Sequence, residues 1–189
     1  MFQNTDQMYR RLFLKTLLFS GITACLPNIS SALADNADND ERTLNLYHPK
    51  TKECLTSTYW EKGDYVKDAL VDIDYIMRDQ HSDKIKQIDT KLLDLLFRIQ
   101  TEIAIAEPLH IMSGYRTPET NEYLRKQGVK ISNNSFHEKG KAVDIRLPSI
   151  KTSLLRRTAY RQKNGGVGFY PNQRFVHVDV GPIRYWTKY

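Results

Sequence analysis

Cysteine is nearly absent: Cys25 and Cys54 are the only two in 189 residues, so a disulfide-stapled scaffold is excluded. No apolar run approaches the roughly 20 residues that a membrane-spanning helix needs. Basic clusters interleaved with aromatics are also missing, and the net charge of +6 is scattered along the chain, which removes the usual footprint of nucleic-acid binding. The glycines of "NGGVG", Asn164 to Gly168, lack the G-K-[ST] ending of a phosphate loop and read instead as room for a close approach beside a site. Internal repeats and low-complexity tracts are absent, and the length fits one domain whose stability comes from a core, helped by metal if one is bound.

What is present begins with an export signal. Arg10-Arg11 precedes "LFLK", a modest apolar run and Ala32-Leu33-Ala34, and "RRLFLK" resembles a twin-arginine signal, which implies export in a folded state. Residues 1–34 are therefore expected to be cleaved, with 35–41 a flexible leader and 42–189 the working domain. The expected location is the periplasm, with no transmembrane segment after processing. Ile22-Thr23-Ala24-Cys25 also has the form of a lipobox, and the alternative is a lipoprotein anchored through Cys25. Loss of Arg10, Arg11, Lys15 and Asp6 with the signal lowers the net charge to +4. A mildly basic exported protein is drawn to anionic envelope polymers.

The mature part is well punctuated. "TLNLYHPKTKECLTSTYW" alternates on both sides of Pro49-Lys50-Thr51 and predicts a hairpin, with His48 a surface residue at the turn and Cys54 a small buried hydrophobe. Val66, Ala69, Leu70, Ile73, Ile76 and Met77 recur at helical steps behind Asp64 as N-cap, and "DTKLLDLLFRIQTEIAIAE" repeats the pattern behind Asp89. A short strand follows around Leu109 to Met112, then a Ser113-Gly114 turn and a helix with Thr117 as N-cap, Pro118 at its first position and Gly128 beyond its end. A further helix spans about Ser149 to Gln162, and a Pro171-Asn172 turn leads to the strand "RFVHVDVG". The order predicts an α+β fold, a small, mainly antiparallel sheet packed with helices.

Chemistry concentrates on two strands. In "SFHEKGKAVDIRLP", Val143, Ile145 and Leu147 share one face, and Ala142, Asp144 and Arg146 share the other. In the last strand Val176, Val178 and Val180 stand opposite Phe175, His177 and Asp179. If the two strands are neighbours, Asp144, His177 and Asp179 meet on the face away from the core, and His137 reaches them from the loop before the first strand. Two imidazoles and a carboxylate with one open position are the donor set of a catalytic zinc ion, which would lower the pKa of a water and polarise a carbonyl so that the water attacks a peptide bond without a nucleophilic serine or cysteine.

"SGYRT" (Ser113 to Thr117), "SFHEKGKAVDIR" (Ser135 to Arg146) and "GGVGFYPNQRFVHVDVGPIRYW" (Gly165 to Trp186) resemble, in order, the signature blocks of the YcbK/MepK-like murein endopeptidases. These belong with the zinc D,D-peptidases and the hedgehog fold. The resemblance implies a zinc peptidase domain with a hedgehog/D,D-peptidase-like fold, one Zn2+ per chain and peptidoglycan as partner. It assigns His137, Asp144 and His177 as zinc ligands, with Ser135, Gly140 and Ala142 as small supporting positions. Asp179 is implied as the catalytic base or its orienting partner, the former being preferred. Arg116 matches an arginine aimed at the substrate carbonyl or carboxylate, and Tyr170 and Ser135 are expected near the substrate. One departure stands out: Arg174 occupies the place where related vancomycin-resistance-type peptidases carry a glutamate base, and Asp179 the second histidine of hedgehog-type relatives. The implied activity is hydrolysis of peptidoglycan cross-links, D-alanyl–diaminopimelate or diaminopimelate–diaminopimelate. The alternatives are D,D-carboxypeptidase action on stem peptides and a non-catalytic, zinc-containing peptidoglycan-binding module.

Overall fold

A computed structural model describes residues 41–189; the signal, the lipobox cysteine and nearly all of the leader lie outside the described residues. The hairpin forms as expected: β1 (Glu41–His48) and β2 (Glu53–Glu61) pair antiparallel with Tyr47 opposite Cys54. β1 already includes Glu41, assigned above to the end of the leader.

Strand parity decides the burial. Leu44 and Leu46 point into the core from β1, and His48, two residues further on, follows them and is buried rather than on the surface. On β2 the inward residues are Ser57 and Tyr59, so Cys54 falls on the opposite parity and is exposed, contrary to the expectation of a buried hydrophobe. Asp64 is not a helix cap. It belongs to the two-residue β3 (Asp64–Tyr65), paired with Trp60 and Glu61 of β2, and α1 (Lys67–Ile76) starts behind Val66 without a side-chain cap.

α2 (Thr90–Ile103) begins as predicted, Lys91 N–H donating to the Asp89 carboxylate at 3.0 Å. Leu92, Leu93, Leu95, Leu96 and Ile99 form its buried stripe. β4 (Leu109–Ser113) follows, then α3 (Pro118–Lys126), where the Thr117 hydroxyl accepts from Thr120 N–H at 3.1 Å. After β5 (Ala142–Arg146), α4 (Thr152–Arg161) starts later than Ser149, because both the amide and the hydroxyl of Ser149 donate to Glu107, at 3.1 and 2.6 Å. β7 (Phe175–Asp179) is the expected last chemical strand. Besides β3, two short strands escaped sequence reasoning, β6 (Gly166–Tyr170) within the glycine stretch and β8 (Arg184–Thr187).

All eight strands join one sheet in the order β3-β2-β1-β4-β5-β7-β6-β8, larger than the small sheet expected. It is mainly antiparallel; only β1–β4 and β6–β8 run parallel. α1 packs on β2, α2 on β1 and on α4, and α4 on β6 and β7, giving a mixed α/β architecture consistent with the α+β reading. Leu96, fully buried between these layers, anchors the core. Leu96→Ala is expected to lower unfolding free energy by about 2–5 kcal/mol, the usual cost of emptying such a site, measured by denaturant titration.

Candidate metal centre

β5 and β7 are neighbours, and their antiparallel register sets Asp144 opposite His177, Val143 opposite Val178 and Ala142 opposite Asp179. The valines enter the core, so the ionisable residues share the other face. His137 arrives from a single 3-10 turn, Phe136–Lys139, closed by Gly140 at φ +65°. A Cβ at Gly140 would stand 2.4 Å from the carbonyl oxygen of Gln87, so only glycine closes this turn against its neighbour.

Three atoms converge. Asp144 Oδ1 lies 2.9 Å from His177 Nδ1 and 3.4 Å from His137 Nε2, and the two ring nitrogens are 3.2 Å apart. Ligand atoms about 2.0–2.1 Å from a tetrahedral ion are separated by about 3.3 Å, so this triangle already has the edge lengths that such an ion requires.

The outer atoms of both rings are held. His137 Nδ1–H donates to the carbonyl of Gly114 at 2.7 Å, leaving Nε2 as a lone pair toward the triangle. Burial lowers the pKa of His137, more than Asp144 opposes it, and keeps the ring neutral as a ligand must be. His177 Nε2–H donates to Asp179 Oδ2 at 3.0 Å and turns Nδ1 inward. Burial pushes the Asp144 carboxyl up, yet the facing ring nitrogens, when they carry a proton, hold it well below the usual carboxylate range, and Asp144 and Asp179 in turn raise the pKa of His177 against its burial.

Asp179 is fully buried and saturated. Besides the imidazole it accepts from Gly166 N–H at 3.0 Å, Gly181 N–H at 2.8 Å and both terminal nitrogens of Arg184, at 3.1 and 2.6 Å. Burial raises its pKa, but these donors hold the carboxyl far below the ordinary range. The "NGGVG" glycines make the approach feasible: a Cβ on Gly165 would fall 1.6 Å from the Asp179 carbonyl oxygen, and one on Gly166 2.5 Å from Asp179 Oδ2.

The carbonyl that orients His137 belongs to the "SGYRT" turn, which is clamped to the end of α1. Tyr115 N–H donates to Met77 O at 2.8 Å, and Asp79 accepts both the amide and the hydroxyl of Thr117 at 2.8 Å. Arg116 emerges from this turn with its Nε buried and without a hydrogen-bond partner among the described residues. Arg116, Ser135 and Tyr170 line one cavity of about 430 Å³ with His137, Asp144 and His177. Arg174 does not reach it; this residue sits exposed at φ +57° in the turn before β7.

Sequence reasoning missed four contributors. Trp186 on β8 brings its ring 5.2 Å from that of His177 and donates through Nε1 to the Tyr170 hydroxyl at 3.1 Å. Gly168 leaves the space it needs, since a Cβ there would come 2.5 Å from the indole. Arg184 neutralises Asp179, Asp79 fixes the turn, and Gly114 supplies the carbonyl. The glycine spacing was the available signal for Trp186; the others depend on contacts between distant segments.

Two measurements test this support. A Cβ at Gly114 would stand 2.3 Å from Met77 O, so Gly114→Ala is expected to shift the turn and weaken metal affinity at the triangle about 10–100-fold, read by competition with a chromophoric chelator. Burial opposes ionisation of Asp79, but the Thr117 and His81 donors pull its pKa down to about 2. A carboxyl depressed from about 3.9 stabilises the fold above that pH and loses its contribution as pH falls through 2. The stability gap between the unsubstituted chain and Asp79→Asn is thus expected to be constant above about pH 5 and to shrink toward pH 2 in acid denaturation.

A family model described as peptidoglycan L,D-endopeptidase MepK matches residues 36–186. The peptidoglycan L,D-endopeptidase MepK of Escherichia coli (strain K12) is 34% identical over 175 residues, covering 91% of this chain and 95% of the relative. The same protein of Shigella flexneri gives the same figures, 34%, 91% and 95%. A probable peptidoglycan L,D-endopeptidase MepK of Haemophilus influenzae is 33% identical over 176 residues, with 91% and 94% covered. With the family model spanning nearly all of the described residues, the chain belongs to the MepK family of peptidoglycan L,D-endopeptidases.

Proposed function

We propose that this chain is a zinc-dependent endopeptidase that cuts peptide cross-links of peptidoglycan, with His137, Asp144 and His177 as the metal ligands. The convergence of these three donors on one wall of a cavity that also holds an unpaired arginine carries the reading. An L,D-bond takes its carbonyl from an L centre and its nitrogen from a D centre, so the diaminopimelate–diaminopimelate link is the preferred substrate and the D-alanyl–diaminopimelate link the alternative. His137, Asp144 and His177 would hold one zinc ion, which would supply Lewis acidity and lower the pKa of a water toward neutral.

The protein's own groups do the rest. Arg116 offers its free Nε–H and fixed charge to the oxyanion or to the carboxylate next to the cut bond. Tyr170 and Trp186 wall the substrate side, and Ser135 closes the rim beside His137. Asp179 acts as a positioning residue rather than the base first preferred for it. Its oxygens are already taken by four other donors besides the imidazole, and with Arg184 against it the carboxylate stays charged and holds the His177 proton on Nε2. A hedgehog/D,D-peptidase-like fold, removal of residues 1–34 after twin-arginine export and action in the periplasm complete the proposal, with lipid anchoring at Cys25 as the alternative route to the same compartment. No helix among the described residues is long and apolar enough to cross a membrane.

Digestion of purified sacculi by the zinc-loaded protein, followed by muropeptide chromatography, is expected to convert cross-linked dimers to monomers, and chelation to stop it. Dimers left intact after zinc repletion would overturn the enzymatic reading in favour of a binding module, and loss of terminal D-alanine alone would point to a carboxypeptidase. His137→Ala is expected to lose both zinc and activity. Asp179→Asn is expected to bind zinc about 10–100-fold more weakly and to regain activity as zinc is raised. A base would instead leave zinc bound and activity lost.

A further inference from the structure

We propose that the outer face of α4 is a second contact surface for peptidoglycan, where Lys151, Arg156 and Arg157 hold carboxylates of stem peptides that are not being cut. The inference rests on peptidoglycan as the substrate in the reading above, and not on which groups perform the cut. Helical spacing divides α4 in two. Leu155, Thr158 and Ala159 are buried where the helix packs on β6 and β7. Ser153, Arg156, Arg157 and Tyr160, at i, i+3, i+4 and i+7, form one stripe whose members are all exposed.

The charge on this stripe is not cancelled. No Asp or Glu occurs between Asp144 and Asp179, so an answering carboxylate has to come from another element. The two acids that bond this segment are Glu102 of α2, taken by Arg161 and Gln162, and Glu107 ahead of β4, taken by Ser149. Lys151, Arg156 and Arg157 have no acidic partner among the described residues. An aromatic ring holds Arg156 instead: its guanidinium lies 5.0 Å from the centre of Phe169, which leaves the N–H edges free for the paired hydrogen bonds that a carboxylate accepts.

Shape and position favour a polymer over a bilayer. Lys151, Leu154, Arg156, Arg157 and Tyr160 line a depression of about 680 Å³. Tyr160, 51% exposed, packs against Tyr185 of β8, 43% exposed, with ring centres 4.3 Å apart, and the pair offers a flat face to a sugar ring. Among the large apolar side chains of α4 only Tyr160 is exposed, so the helix presents no apolar row to enter a membrane. β8 is the edge of the sheet, and alternation along it puts Trp186 over His177 on the metal face and Tyr185 against Tyr160 on the helix face. One edge strand therefore separates the wall of the metal cavity from this patch, and neighbouring stems of one polymer can reach both. Such a second contact raises the local concentration of stems at the metal without touching the cut bond, so it acts on sacculi and not on a small soluble substrate.

The test is co-sedimentation of the zinc-loaded chain with purified sacculi on ice, beside cleavage of a soluble cross-linked dimer. Arg156→Glu/Arg157→Glu is expected to raise the apparent Kd for sacculi about 10-fold at low salt, with kcat and KM on the dimer within about 2-fold. Arg156→Gln/Arg157→Gln is expected to give a smaller loss in the same direction. Amidation of the sacculus carboxylates is expected to bring the unsubstituted protein down at least to the level of the Glu variant. Equal sedimentation of all three proteins, full binding to amidated sacculi, or a matching loss on the dimer would overturn the surface. Vesicles of phosphatidylglycerol and phosphatidylcholine form the lipid arm: vesicle binding lost in the Glu variant while sacculus binding stays intact assigns the face to a membrane and overturns it as well. Sedimentation needs no turnover, so a chain that cuts no dimer sinks the endopeptidase reading alone. Its sacculus binding then decides the surface: loss in the Glu variant supports it, and equal binding overturns it.

Discussion

The antiparallel register between β5 and β7 is the constraint on which the rest of the molecule depends. It sets Asp144 directly across from His177, and because side chains alternate along a strand, a slip of one residue would send His177 into the core and Val178 to the metal face. Val143, Ile145, Val176 and Val178, all buried on the other face, forbid that slip. Hydrophobic burial thus places two of the three donors, and the main chain, not side-chain flexibility, sets their spacing. The third, His137, comes from the 3-10 turn before β5 and is oriented from β4: the β4 ladder with β5 is irregular between Ile111 and Ser113, and the chain leaves it into the turn whose Gly114 carbonyl accepts from His137.

Gathering two imidazoles and two carboxylates in a buried space is costly unless every charge is answered. Asp179 meets this with Arg184, two backbone amides and an imidazole; Asp79 meets it at the next turn with Thr117 and His81. Both carboxyls are pulled below their ordinary range, so they remain fixed anions while the groups they support stay in place. Several glycines serve the same end by removing atoms. Gly114, Gly140, Gly165 and Gly168 each admit a carbonyl or a ring where a Cβ would collide.

How much of this was legible depended on whether the information was local. Alternation separated Val143 from Asp144 and Val176 from His177 without any structure. Applied to β1 it would also have placed His48 with Leu44 and Leu46, but the adjoining Pro49 turn argued for the surface and prevailed. Cys54 was misplaced for a different reason: both parities of β2 carry apolar residues, Cys54 and Leu55 among them, and only packing chooses between them. Asp64 has the residue type of a cap, yet two residues of strand pairing with β2 competed for it and won. β6 and β8 are short, glycine-containing or edge strands whose identity comes from their partners.

The sequence by itself determined the helices α2 and α3 with their Asp89 and Thr117 caps, the hairpin, and the segregation of His137, Asp144, His177 and Asp179 from the core, since capping and alternation act within a few residues. Tertiary structure alone decided that β5 and β7 are neighbours, that Asp179 is sealed by Arg184, that Trp186 stands over His177, and that Arg116 keeps a buried Nε without a partner among the described residues. Those outcomes depend on which distant segments share a ladder or a void, and pairing between segments tens of residues apart is settled by the packing of the whole sheet.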